Sequence, residues 1–209
     1  MIGECLGQII SPSRLSYDSL IVDTFSLDNL NLEIGKNYFL NGKKILRQTF
    51  YLNGQISGQF EYKNKCVDYE WDSTGVLTYK CKMKNGKKNG EMNSWYSDRN
   101  IEAKGKFISG DGEVRHYYPS GQLKRIEKEK QLVLIYAENY CKNGALISKV
   151  DFTAREYYSE EYYCNGIIKQ KGRIVDGFRE GPWNFYSEDG NLLSQEHYES
   201  GRLISKENF

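Results

Sequence analysis

Hydrophobic and polar positions alternate between regularly spaced turns. Leu77, Tyr79, Cys81 and Met83 fall on one side of a strand, and Thr78, Lys80, Lys82 and Lys84 on the other. Ile101, Ala103, Gly105 and Phe107 oppose Glu102, Lys104 and Lys106 in the same way. Ile56, Gly58, Phe60 and Tyr62 oppose Gln55, Ser57, Gln59 and Glu61. A period of two predicts strands with one packed and one wet face. Helical spacing fits none of these windows.

The turns between the strands are marked by glycine. Fourteen of the twenty glycines follow Asn, Asp, Ser or Thr. Asn-Gly and Asp-Gly supply the positive φ angles that tight hairpin turns require. Turn centres are predicted near 42, 54, 64, 75, 86, 100, 110, 121, 130, 144, 155, 166, 177, 190 and 201. A longer period lies above them. Trp71, Tyr96, Tyr118, Tyr140, Tyr163 and Tyr186 each precede a turn, at steps of 25, 22, 22, 23 and 23 residues. A fixed period of this length indicates stacked repeats, here one hairpin per repeat. Stacking would align these six aromatics in one column. The predicted fold is therefore all-β: a repeat solenoid of stacked β-hairpins forming one long twisted antiparallel sheet of 14–16 strands.

Residues 1–36 lie outside this rhythm and read as an N-terminal capping segment, although Leu30, Leu32 and Ile34 alternate in part. Residues 37–209 read as the hairpin-repeat domain. Two stretches are irregular. Glu127–Gln131 has no glycine, and Leu132-Val133-Leu134-Ile135 is apolar in a way that suggests cover on both faces. Thr153–Glu161 also lacks a glycine turn.

Composition agrees with strands: alanine occurs four times and tyrosine seventeen. No apolar run is long enough for a spanning helix. The start of the chain is a poor secretory signal. Five cysteines without a CxxC pair predict free thiols, a reducing compartment and cytoplasmic localisation. Cys141 and Cys164, one repeat apart, would be separated by about two strand spacings, roughly 10 Å, too far for a bridge. The net charge is +1 but uneven: −4 over residues 1–35, +7 over 36–90, +2 over 91–150 and −4 over 151–209.

The unit Gly177-Phe-Arg-Glu-Gly181-Pro-Trp183-Asn-Phe-Tyr186-Ser-Glu-Asp-Gly190 pairs spaced glycines with Trp, Tyr and an acidic turn. Asn85-Gly86-Lys-Lys-Asn-Gly90 with Trp95-Tyr96 repeats the signature, and Asn53-Gly54-Gln-Ile-Ser-Gly58 does so more weakly. This resembles a MORN-type repeat, closest to the variant in bacterial YwqK-type antitoxins, over roughly Asn37 to Phe209. The resemblance implies a binding or scaffolding module rather than an enzyme, with no cofactor. The antitoxin variant implies that a partner toxin is neutralised by direct contact.

The residues themselves offer little catalytic chemistry. His116 and His197 lack neighbours at metal-ligand spacing. Phosphate-loop and nucleophile-elbow motifs are absent. The expected role is non-enzymatic protein binding, as an antitoxin or immunity protein that occludes its partner. Trp95, Tyr96, Tyr118, Lys82 and Lys84 are the candidate contact residues. The alternatives are a structural scaffold apposed to an anionic membrane, and a carbohydrate-binding repeat protein whose aromatics stack sugars. A net charge near zero argues against nucleic acid. Partner identity, binding face and oligomeric state stay open at this level.

Overall fold

Two kinds of tight turn recur along the backbone and set the architecture; the connections at residues 62–64 and 152–155 are of neither kind. The computed structural model describes residues 16–27 and 31–209, and it divides between Asp111 and Gly112 into two units. The first holds β1 (Ser19–Leu27), β2 (Asn31–Leu40), β3 (Lys43–Tyr51), β4 (Ile56–Glu61), β5 (Lys65–Trp71), β6 (Leu77–Lys84), β7 (Lys87–Trp95) and β8 (Ile101–Ile108). Each strand pairs antiparallel with the next. The second holds β9 (Asp111–Tyr117), β10 (Leu123–Lys130), β11 (Val133–Tyr140), β12 (Leu146–Asp151), β13 (Glu156–Tyr162), β14 (Ile168–Val175), β15 (Phe178–Tyr186), β16 (Leu192–Glu199) and β17 (Arg202–Asn208). These also pair consecutively and antiparallel. The described residues contain no helix. The expected all-β hairpin ladder is the one found in both units. The seventeen strands among the described residues exceed the expected number because β1 adds one strand ahead of β2. Leu30 lies outside the described residues.

The first kind of turn has two residues, both at positive φ: Asn41-Gly42, Asn85-Gly86, Ser109-Gly110, Gln131-Leu132, Asp176-Gly177 and Ser200-Gly201. Two consecutive positive φ angles define the type I′ turn, whose twist matches that of the flanking strands. The second kind is a three-residue loop. Gly54 donates its N–H to Tyr51 O, and Tyr51 donates to Gln55 O, both at 2.9 Å. The same pair of bonds closes the loops that begin at Asp72, Tyr96, Tyr118, Cys141, Tyr163 and Ser187. The last residue of each loop is left-handed: Gly54, Gly75, Gly121, Gly144, Gly166 and Gly190, with Arg99 as the exception at φ 68°.

One or two rungs past each loop the register slips by one residue. The unpaired residues are Ser57, Thr78, Glu102, Lys124, Ile147, Lys169 and Leu193. These bulges correct the expected faces of β4. Ile56 and Ser57 are both buried, as is Gln59, whereas Tyr62 is exposed. A bulge sends two successive side chains out of simple alternation. The buried polar groups are bonded across the rung, with Gln48 Nε2 donating to Gln59 Oε1 at 3.0 Å and Ser57 Oγ to Thr49 Oγ1 at 2.8 Å. Where the other windows predicted a packed face, one exists: Cys81, Ala103 and Phe107 are 0–2% exposed, while Lys82, Lys104 and Lys106 face water.

Other expectations change as well. The apolar run at Leu132 is not covered on both sides, because Leu132 lies in the turn and Val133 opens β11, and they are 64% and 62% exposed. Cys141 and Cys164 are joined in a disulfide, with Cα atoms 5.7 Å apart. The two-strand spacing applies to residues in the ladder. Both cysteines lie in loops beyond the last rungs, Tyr140↔Leu146 and Tyr162↔Ile168, where one loop folds onto the next. Cys66 and Cys81 are free and buried.

In the second unit the packed face centres on Trp183, 2% exposed, whose indole lies on Gly172 and donates to Arg173 O at 3.1 Å. A β-carbon at Gly172 would lie 2.3 Å from the ring. Gly172→Ala is expected to lower the unfolding free energy by about 1–3 kcal/mol. Leu132→Gly is expected to raise it by several tenths of a kcal/mol to about 1, by relieving a left-handed leucine at φ 70°. Urea midpoints of the two variants should therefore move in opposite directions.

Candidate binding surfaces

The three-residue loops of each unit lie along one edge of its sheet and are laced together. Asn53 Nδ2 donates to Ser73 O, Asn143 Nδ2 to Cys164 O and Asn165 Nδ2 to Glu188 O, at 2.7–3.1 Å. The same asparagines accept an N–H within their own loops, which fixes the side chain that reaches across. Tyrosine supplies a second brace. Tyr51 Oη donates to Trp71 O, Tyr118 Oη to Tyr140 O and Tyr163 Oη to Tyr186 O, at 2.8–3.0 Å.

This arrangement corrects the single aromatic column. Tyr96, Tyr118 and Tyr163 open their loops, whereas Trp71, Tyr140 and Tyr186 occupy the preceding position. That preceding position is aromatic throughout: Phe50, Trp71, Trp95, Tyr117, Tyr140, Tyr162 and Tyr186. The bracing tyrosine and the aromatic at the preceding position are thus adjacent residues, and the latter is buried only at Trp71. The Tyr-x-Asn-Gly spelling of two loops carried the signal, which becomes readable once the loop type is known.

Two recesses accompany the loops, each over a joint where strand pairing lapses. Between β4 and β5 only Gly58↔Glu70 and Gln59↔Tyr69 pair, and Arg47, Thr49, Ser57, Asp68, Glu70 and Thr78 are among the residues lining the gap. Between β12 and β13 only Ser148↔Glu161 pairs, and the lining includes Cys141, Asn143, Ile147, Glu161, Tyr163 and Lys169. In the first recess, burial and then the neighbouring Glu70 carboxylate push the Asp68 carboxyl up to about 6. Burial likewise raises the Tyr79 phenol and the Cys66 thiol. The second unit carries a polar row: His116 Nε2 meets Glu127 Oε2 at 3.0 Å, Arg125 Nε meets Glu127 Oε1 at 2.6 Å, and Arg125 Nη1 donates to Asn139 Oδ1 at 3.2 Å. No group of three or more His, Cys, Asp or Glu side chains among the described residues could hold a metal ion.

The opposite edge of the first unit has a different chemistry. Its tips carry Lys43 and Lys44, then Lys63 and Lys65, then Lys84, Lys87 and Lys88. Lys65, Lys84 and Lys87 stand on one continuous rung, Lys65↔Lys84↔Lys87, and point to the same side. Like charges directly opposed across strands oppose pairing. Leu40, Tyr62 and Ile108 are exposed between or beside these lysines, Ile108 at 73%. Acids on this edge include Glu61, which pairs with Lys63, and Asp18, which accepts from the Asn41 N–H at 2.6 Å. The loop edge across the sheet carries Asp72 and Asp98 instead.

The five residues singled out from sequence are dispersed. Trp95 ends β7 and Tyr96 opens the following loop, so these two are neighbours on the loop edge. Lys84 lies on the lysine edge, at the other end of the strands. Lys82 is paired with Glu91 at 3.2 Å, and its alkyl chain covers Gly90. Tyr118 belongs to the second unit, where Lys124 and Lys142 flank its ring at 5.8 and 5.7 Å and its hydroxyl braces the next loop. The lysine edge was visible in sequence only as a regional charge of +7.

Residues 43–64, 110–128 and 179–200 match the MORN repeat variant. Each stretch covers all or most of one hairpin closed by a three-residue loop: β3–β4, β9–β10 and β15–β16. At these three stretches the chain is similar to a repeat class whose members generally serve as protein- or membrane-binding modules. The intervening hairpins share the loop geometry without matching at the level of sequence. A search of curated proteins found no match.

The raised Asp68 carboxyl has a direct consequence. The folded chain holds this proton more tightly than the unfolded chain does, so the associated stability is present below about pH 4 and is lost as pH rises through about 6. Asp68→Asn is expected to raise the urea midpoint at pH 7 and to flatten its pH dependence between these limits.

Proposed function

We propose that the chain is a non-enzymatic binding module whose lysine edge engages an anionic surface on a protein partner. The observation that carries this reading is the triple-lysine rung, Lys65, Lys84 and Lys87, at the centre of a row of basic hairpin tips. Successive tips are about 10 Å apart, two strand spacings, so the row presents positive charge at regular intervals over several repeats. Such a field accelerates encounter and selects acidic partners. A sheet of linked hairpins holds the backbone positions of these charges in fixed register. An antitoxin or immunity role is one form of this reading: a broad rigid surface would neutralise its partner by covering it.

A second reading is favoured by Leu40, Tyr62 and Ile108, which interrupt the lysines with exposed apolar side chains. Basic residues beside exposed apolar ones suit an anionic bilayer, where each lysine near the surface contributes about 1 kcal/mol. The two readings separate experimentally. For the protein reading, a stoichiometric partner recovered with the tagged wild-type chain should dissociate at about 1 M salt, where screening acts within about 3 Å. It should also be lost from the Lys65→Glu/Lys84→Glu/Lys87→Glu variant. Retention of that partner by the triple variant would overturn the lysine-edge assignment. Salt-sensitive sedimentation with phosphatidylserine vesicles, abolished by the same variant in the absence of a protein partner, would favour the membrane reading instead.

A further inference from the structure

In three of the loops the first residue is a tyrosine whose hydroxyl reaches the carbonyl just ahead of the next loop. At the loop between β11 and β12 that first residue is Cys141, and its link to the next loop is covalent, through Cys164. The substitution falls at the most weakly paired joint of the second unit. β12 and β13 share one registered pair, whereas the flanking β11–β12 and β13–β14 ladders share five and seven. Besides that rung, the loops across the joint are held by the disulfide and by the Asn143 to Cys164 O hydrogen bond of 2.7 Å. Both cysteines also form part of the recess over the joint, together with Ile147, Glu161 and Tyr163.

The two cysteines differ in exposure. Cys141 is 3% exposed, while Cys164 lies on an exposed loop. A thiolate approaching from solvent therefore reaches Cys164 Sγ and leaves Cys141 as the departing thiolate.

We propose that the Cys141–Cys164 disulfide is a reversible thiol-exchange site, with Cys164 as the residue modified by small thiols, and that it clips the β12–β13 joint. In the first step an external thiolate bonds to Cys164 Sγ, the Cys141–Cys164 bond breaks, and Cys141 takes up a proton from water. If the reductant is a dithiol, its second thiolate attacks its own sulfur in the mixed disulfide. Cys164 leaves and is protonated, the dithiol becomes a cyclic disulfide, and two electrons have passed to the protein. Oxidation by a disulfide compound reverses the sequence. Breaking the clip leaves one ladder rung and one side-chain hydrogen bond across the joint, so the loops separate and the recess widens. The exchange requires no contribution from the lysine edge, which lies in the other unit.

The test uses the full chain. Mass spectrometry after brief exposure to glutathione should find the mixed disulfide on Cys164, with Cys141 open to alkylation. Hydrogen exchange across residues 141–169 should accelerate about tenfold or more on reduction with dithiothreitol, while the β15–β16 ladder stays unchanged. The oxidised pattern should return on reoxidation, and Cys164→Ser should reproduce the reduced pattern and lose the response. Glutathione found on Cys141, or exchange across the joint indifferent to reduction, would overturn the proposal. Because the reduced wild-type chain is itself the critical sample, a poorly folding Cys164→Ser variant does not remove the test.

Discussion

The left-handed backbone at the end of each three-residue loop is the constraint on which the remaining structure depends. It closes the hairpin and precedes a bulge, so every loop resets the register in the same way. Because the reset is identical from hairpin to hairpin, equivalent positions of successive loops come side by side. The lattice of Asn and Tyr bonds follows from that coincidence. A chain with mixed loop types would have no such column to bond along. Arg99 shows the constraint operating without glycine: the backbone keeps the left-handed angle and the side chain stays in water.

Alternating turn types give the two edges of each sheet different uses. In the three-residue loops, asparagine, tyrosine and, in one case, a disulfide provide cohesion between hairpins. The two-residue turns leave less backbone to satisfy and carry the variable chemistry. In the first unit the tips on that side carry lysine, with like charges on one rung, an arrangement that opposes pairing. In the second unit these turns and the residues just after them carry exposed Leu132, Val133 and Phe178. The two weakly paired joints are the places where side chains replace backbone rungs, which is why both recesses occur there.

Much of this could be read directly from residue order. Turn positions depend on local φ preferences, so Asn41-Gly42, Asn85-Gly86 and Asp176-Gly177 announced themselves. The packed face of β6 and β8 was legible because simple alternation survives along most of their length. The face of β4 was not, because its bulge at Ser57 interrupts a six-residue strand. The turn at Gln131-Leu132 was placed only approximately, because neither residue favours positive φ and the ladder imposes it. Lys82 and Lys84 were legible as exposed, but not their separation into an ion-paired residue and a member of the lysine rung.

Sequence alone determined the all-β class, the hairpin period and most turn positions, because each follows from interactions among residues a few places apart. Tertiary structure decided which residues meet. The Cys141–Cys164 bond, the tyrosine braces between loops, and the Lys65–Lys84–Lys87 rung all join residues about twenty apart or on separate strands. Their proximity depends on one-residue register shifts and on how far one loop folds over the next. Strand periodicity does not record either quantity, since a slip of one residue changes every neighbour while leaving the pattern of polar and apolar positions unaltered.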